Sequence, residues 1–389
     1  MKKIVWFHLV PLSLACLTLF FLYEPLLGLY RANSHTLTPE YSSTELTGET
    51  RFLTNYNQSY TNELLVARSL VRPQQLTLFG SSELSSGVGE SLSSNFLPDS
   101  LGAPILAIGH GFHELFAIYC ELLYFSPYLS HSKINIVLSP GWFQDGKGTL
   151  PQSFIEFVPP HFITRIVHDT AISEDHKQYL AHTVAQNYEG ELAGNRLEYK
   201  YLSALAHNIP KTETLKNALI QKHTLKVSND QPPVELKSPK WAQWLRQAET
   251  NSLKTLNQYF IDSTYFRKYT SDKSGNIWKM KVNPVPSQNN QEFEDLKMIV
   301  KLLKEHKCEV SFVMQPLNPY YYEHIDNFDP IMDSISQLMK KEGLEENYLN
   351  LFVTDPKNYQ PGILRDVMHF SDFGWMTVNK FLYERHFAQ

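Results

Sequence analysis

Leu76-Thr77-Leu78-Phe79-Gly80-Ser81-Ser82-Glu83-Leu84 is the stretch on which the fold turns. A short, mainly apolar run closed by a glycine and two serines predicts a buried strand that ends in a tight turn. Ile105 to Ile108 repeats the pattern and closes on Gly109. Phe112, Leu115, Phe116, Tyr119, Leu122 and Leu123 then fall at helical spacing, so a helix with one apolar face follows the second strand. Ile134 to Leu138 gives a third strand. Phe293, Leu296, Val300 and Leu303 mark a helix ahead of the strand run Val310 to Met314. Ile331, Ile335, Leu338 and Met339 mark another, ahead of a strand at Tyr348 to Val353, and Trp375, Val378, Phe381 and Leu382 define a terminal helix. Strand and helix alternate throughout, and the economical solution is an α/β fold whose parallel sheet is covered on both faces. The expectation is a flavodoxin-like three-layer α/β/α sandwich, with its chemistry where loops leave the carboxyl ends of the strands.

Three regions stand outside this alternation. Residues 150–290 show helical spacing in places, as at Trp241, Trp244, Leu245 and Leu256, and predict a mainly helical insertion within a domain spanning 71–389. Arg31 to Gln58 is rich in Thr, Ser, Glu and Asn with little periodicity, so residues 31–70 are expected to form a linker and cover. Ahead of it, Ile4 to Tyr23 is apolar except for His8, Ser13 and Thr18, long enough to span a bilayer core. Lys2 and Lys3 precede it, which predicts a single-pass anchor within residues 1–30, a cytoplasmic N-terminus and an extracytoplasmic domain. A cleaved signal peptide would have a shorter core ending in small residues, whereas Leu19 to Tyr23 prolong this one. Ser13-Leu14-Ala15-Cys16 is a poor lipoprotein box, because Ser13 stands where leucine is usual and apolar residues follow Cys16.

A chain of 389 residues with 42% apolar and 19% charged residues has a globular composition, and a net charge of −5 without a basic stripe argues against nucleic acid as a partner. No Gly-rich phosphate loop or His-Glu-x-x-His motif is present, so no cofactor or metal is expected. Beyond the anchor only Cys120 and Cys308 occur, each in an apolar run, which reads as two buried thiols with a disulfide between them left open.

The glycine at position 80 lets the chain turn sharply and present a hydroxyl at the sheet edge. Near the other terminus, Arg365-Asp366-Val367-Met368-His369-Phe370 puts a carboxylate and an imidazole three residues apart, just before the last helix. A serine hydroxyl is a weak nucleophile at neutral pH. His369 would take its proton and Asp366 would orient the ring. Each motif alone has an ordinary reading, a polar turn for the serines and a solvated helix start for Asp-x-x-His; it is their chain order that points to acyl transfer.

That order, nucleophile after the first strand and Asp-x-x-His before the last helix, resembles the SGNH (GDSL-like) hydrolase superfamily. Within it the chain most resembles the DltD family, membrane-anchored proteins needed for D-alanylation of teichoic acids. The resemblance is carried by the N-terminal anchor, Phe79 to Leu84, Leu138-Ser139-Pro140-Gly141-Trp142-Phe143, Gln315-Pro316-Leu317-Asn318 and Asp366-Val367-Met368-His369. It implies that Ser81 stands where the superfamily has aspartate and that Ser82 is the nucleophile. It also implies an oxyanion hole from the serine amide, Gly109 and an asparagine after the third strand, but that loop offers only Gly141 and Trp142. Asn318 reads equally as a substrate donor or a turn residue, and Trp142 as a cleft wall or core. His110, His113 and Tyr320 to Tyr322 lie where an acceptor would bind. The implied partners are a membrane-bound O-acyltransferase-type protein, a D-alanyl carrier protein and the teichoic acid acceptor. The alternatives are an extracytoplasmic polysaccharide O-acetyltransferase or esterase, and a non-catalytic membrane scaffold.

Overall fold

The computed structural model describes residues 51–54, 60–85, 89–192 and 234–388. Six strands form one sheet: β1 (Phe52–Leu53), β2 (Leu76–Phe79), β3 (Ile105–Ile108), β4 (Lys133–Leu138), β6 (Glu309–Met314) and β8 (Tyr348–Asn350). Their order is β1-β3-β2-β4-β6-β8 and every pairing is parallel. Setting aside the two-residue edge strand β1, the five principal strands run 2-1-3-4-5, the flavodoxin-like order. Its crevice opens where the chain, having placed β3 on one side of β2, crosses to place β4 on the other. A second, two-stranded parallel sheet pairs β5 (Met280–Lys281) with β7 (Tyr322–Glu323).

Side-chain alternation along the strands divides the core in two. Leu76, Leu78, Ala107, Val137 and Val313 face one cluster; Phe79, Leu106, Ile108, Ile136, Leu138, Phe312 and Met314 face the other. The first cluster is covered by helices α2 (Ser93–Leu101) and α10 (Asp372–His386). The second is covered by α1 (Tyr60–Val71), α3 (Leu115–Tyr124), α8 (Gln291–Glu305) and α9 (Asp329–Lys341). The result is the three-layer arrangement expected from the alternation. Polar groups that the sheet buries are paired across layers: Ser69 Oγ lies 2.7 Å from Thr77 Oγ1, and Asn135 Nδ2 donates to Ser311 Oγ at 2.8 Å.

The long stretch between β4 and α8 is helical over much of its described length but serves both faces. Helices α4 (Pro151–Phe157) and α5 (Pro160–His168) bring Phe154, Phe157, Phe162 and Ile166 to the cluster under α3, and α6 (Glu174–Leu192) brings Leu180 and Val184. Helix α7 (Trp241–Leu253) lies on the opposite face, where Trp241 and Trp244 meet Phe96 at ring-centroid distances of 6.1 and 5.2 Å.

Three local details differ from the sequence reading. The cover stretch contributes strand β1 and helix α1, whose Val66, Ala67 and Leu70 are buried in the core. Phe112 is not on the apolar face of α3: it sits at φ 68° and is 65% exposed, because the helix starts only after Glu114. The strand at Tyr348 stops at Asn350. Among the described residues both cysteines, Cys120 and Cys308, are free thiols, and burial raises the pKa of each. The expected anchor and Cys16 lie outside the described residues, and among those residues no helix is long and apolar enough to cross a membrane.

Candidate active site

The turn after β2 is built from contacts that leave little freedom. The Gly80 amide continues the ladder onto Ile108 O at 3.2 Å, and a Cβ there would strike the Glu83 carboxylate and Leu84. The next amide, of Ser81, donates to Glu83 Oε1 at 2.5 Å, and Ser81 Oγ donates to His110 O at 3.1 Å. Ser82 then opens a single helical turn, Ser82–Ser85. Glu83 is fully buried beneath it; burial raises its pKa, against the lowering effect of the Ser81 amide and its own.

Residues 364–370 form a pinched loop whose ends meet. Leu364 and Phe370 make an antiparallel bridge, and the Arg365 amide donates to His369 O at 3.0 Å. Ser371 follows and caps α10 by accepting the Gly374 amide, so the loop is fixed to a long helix. Inside the loop Asp366 Oδ1 accepts the amides of Met368 at 2.9 Å and His369 at 2.8 Å, a side-chain turn of the kind aspartate favours. Its Oδ2 lies 2.9 Å from His369 Nδ1. Burial raises the Asp366 pKa, but the hydrogen bond and charge of His369 and the two amides outweigh it and hold the group below the ordinary carboxylate range.

The opposite ring nitrogen, His369 Nε2, lies 3.0 Å from Ser82 Oγ. Residues 287 positions apart in the chain thus form a continuous hydroxyl, imidazole and carboxylate relay. Of the two adjacent serines, Ser82 faces the imidazole while Ser81 is held on the His110 carbonyl. The aspartate is buried, with Arg365 Nε 3.5 Å from its Oδ2, and the imidazole and hydroxyl are partly open.

The model of the family described as DltD protein matches residues 53–387, a span that includes all three groups of the relay. The chain belongs to the DltD family. Protein DltD of Staphylococcus aureus (strain NCTC 8325 / PS 47) is 23% identical over 274 residues, which cover 65% of this chain and 66% of that protein. The DltD family is involved in D-alanylation of teichoic acid and is associated with the cell envelope.

Other residues singled out in the sequence fall at different places in this DltD domain. The Gly109 amide donates to Leu53 O at 2.9 Å, so the sheet already uses it. What Gly109 provides is closeness: it sits at φ 135°, and any Cβ would run into Gly80 O and His113. Asn318 is fully buried; its side chain donates to Tyr259 O at 3.0 Å and accepts the Tyr320 amide at 2.9 Å, the stitching of a turn. Trp142 is buried in the core below β4, and its amide is on Ser139 O. His110 pairs with Glu156 at 3.2 Å beside the Ser81 contact.

Sequence reasoning missed the role of two residues. His113, read as facing an acceptor, is instead buried outright: Nδ1 lies 2.9 Å from Gly80 O and Nε2 2.9 Å from Glu121 Oε1, with the ring stacked on Phe157. It braces the peptide just before the serine turn. Gly111 approaches Ser82 so closely that a Cβ on it would lie 3.9 Å from the Ser82 Cβ. The Gly109-His110-Gly111 spacing was the available signal, since a second glycine permits a second close approach.

Proposed function

We propose that this chain transfers D-alanyl groups to teichoic acid at the outer face of the membrane through an acyl ester on Ser82. The observation that carries the reading is the relay from Ser82 Oγ through His369 to Asp366, at 3.0 and 2.9 Å. In the first half-reaction Ser82 Oγ attacks the carbonyl carbon of an activated D-alanyl group while His369 Nε2 takes the hydroxyl proton. Asp366 holds Nδ1–H and stabilises the imidazolium. Collapse of the tetrahedral intermediate expels the leaving group, which takes the proton from His369 and leaves the alanyl ester. In the second half a polymer hydroxyl gives its proton to His369 and attacks that ester, and Ser82 is regenerated.

The oxyanion donors in this proposal are the Ser82 amide and Gly111, which takes the place expected of Gly109 because the latter's amide lies on Leu53 O. The alanyl group reaches Ser82 from a carrier protein by way of a membrane-bound O-acyltransferase-type partner, since a chain with a single anchor within residues 1–30 cannot carry an activated acyl group across a bilayer. The test is to label the protein with a D-alanyl thioester or a fluorophosphonate and map the modified peptide. An alanyl mass on Ser82, lost in Ser82→Ala along with polymer D-alanylation in cells, is the expected result. An acetyl mass would mark an O-acetyltransferase. Wild-type D-alanylation with Ser82→Ala would leave a scaffold as the better account.

A further inference from the structure

Resting on the acyl-enzyme reading, we propose that the ribbon at residues 265–281 is the docking surface for the acceptor, an anionic phosphodiester-linked polyol, and leads it to Ser82. The overall charge of −5 and the expected lack of a basic stripe conceal a local one: Arg267, Lys268, Lys273, Lys279 and Lys281 crowd this segment against a single carboxylate, Asp272. All five cations are exposed, and among the described residues none makes an ion pair. Asp272 does not neutralise them from afar: it accepts the amides of Ser274 and Asn276, both at 2.8 Å, and serves the turn.

Large aromatic and apolar side chains are exposed within the same ribbon, Trp278 at 58% and Tyr269 at 55%, with Met280 beside them. Each ring is backed on one side, Trp278 by Tyr321 and Tyr269 by Tyr265, with Lys268 Nζ 4.8 Å from the Tyr269 centroid. Trp278 and Met280 alternate along the chain with Lys279 and Lys281, and all four side chains are exposed. A polyol phosphate chain has both surfaces such a ribbon requires, phosphates for the cations and C–H faces for the rings.

The ribbon is rigidly tied to the relay, which favours a substrate track over a bilayer contact. The Met280 and Val282 amides donate to Tyr321 O and Glu323 O, at 3.1 and 3.2 Å, and the Asp262 amide donates to Arg365 O at 2.8 Å, next to Asp366. Tyr265 feels the same carboxylate: its pKa is pushed up to about 12 by burial and then by the Asp366 charge. A polymer held here lies against the loop that carries His369.

The experiment uses the full chain in detergent with Ser82→Ala, so that no turnover intervenes, and measures binding of a poly(glycerol phosphate) chain at rising salt. With about 0.7 counterion released per single-strand phosphate contact, four contacts give a slope near −2.8 and about a 50-fold loss of affinity between 50 and 200 mM salt. R267Q/K268Q/K279Q/K281Q should flatten that slope and bind weakly at the lowest salt, and Trp278→Ala should weaken binding without changing the slope. An unchanged slope in the quadruple variant overturns the proposal. So does a variant that keeps polymer binding but no longer binds phosphatidylglycerol vesicles, because the ribbon would then be a bilayer contact. Alanyl labelling of Ser82 in the unsubstituted protein is read separately, and its failure would sink the acyl-enzyme reading while leaving the binding result standing.

Discussion

Asp366→Asn separates an orienting carboxylate from a merely structural one. Asp366 Oδ1 accepts two backbone amides at 2.9 and 2.8 Å, and an asparagine oxygen can keep both. Flipping the amide would set its NH2 against those two N–H groups, so the oxygen stays and the nitrogen takes the place of Oδ2. That nitrogen then donates toward His369 Nδ1 across 2.9 Å. The imidazole answers by placing its proton on Nε2, the atom 3.0 Å from Ser82 Oγ, and no lone pair remains there to take the hydroxyl proton. Acylation should fall by on the order of 10² to 10⁴, about 3–5.5 kcal/mol of barrier. Because the loop keeps both of its amide bonds, stability should change by only about 1 kcal/mol. Single-turnover acylation by a D-alanyl thioester, followed by intact mass, gives the rate, and thermal unfolding gives the stability. His369→Ala should match Ser82→Ala, and the double variant should be no worse than either parent. An Asp366→Asn protein that acylates within about threefold of wild type would refute the tautomer argument.

Gly109→Ala should abolish soluble expression, because its Cβ meets Gly80 O and the buried His113, whereas Gly111→Ala should fold and acylate slowly, as read by fluorophosphonate labelling. His113→Phe keeps a ring but removes the nitrogens bonded to Gly80 O and Glu121, and should lower stability by about 1–3 kcal/mol in denaturant titration. Stability should fall as pH rises from about 5 to 8: burial pushes Asp295 up to about 7, and burial with the charges of Asp145 and Asp295 pushes Glu114 up to about 8. The folded chain therefore holds protons that the unfolded chain releases near pH 4, a slope of up to about 1.4 kcal/mol per pH unit for each group. Asp295→Asn, which keeps an oxygen for Tyr179 and Gln291, should flatten the dependence of melting temperature on pH. His386, pushed down to about 3 by burial and the charges of Lys133 and Arg385, acts oppositely below its unfolded pKa and offsets one of these slopes there, so the fall with rising pH should be steepest above about 6.5.

The principal strands were legible because each is a short apolar run buried on both faces, as at Ile105 to Ile108 and Val310 to Met314, and such runs need no partner to be recognised. Strand β1 was not, since two residues carry no period and Phe52–Leu53 is a strand only because β3 lies beside it. Helix α1 was absorbed into the polar stretch before it. The relay residues were legible as a set because chain order fixes which strand end and which helix start carry them. Their neighbours were not. Sequence gives no hint that the Gly109 amide is claimed by Leu53 or that the Asn318 side chain is spent on Tyr259, because both follow from backbone contacts between distant segments.

The serine turn departs at Ser81 from the pattern of the superfamily that the sequence resembles, and the surrounding contacts give a physical reason why the departure is tolerated. A carboxylate is still present in the turn, two residues later, where Glu83 receives the Ser81 amide. Buried beneath the nucleophile, which raises its pKa, it ties the turn together through the Ser81 amide. Ser81 in turn anchors to His110 O, and Gly80 O to His113, so the turn is fixed to the β3 loop at two points before Ser82 is reached. The histidine side is fixed independently, through the Asp366 amide bonds and the cap of α10. The serine turn and the histidine loop are thus built separately and meet in the relay at the 3.0 Å contact between Ser82 Oγ and His369 Nε2, and the apolar cluster that β2 shares with α10 sets that distance. Substitutions under α10 that shift the helix without touching the relay should therefore slow acylation as much as a partial loss of the base, because proton transfer requires hydrogen-bond reach.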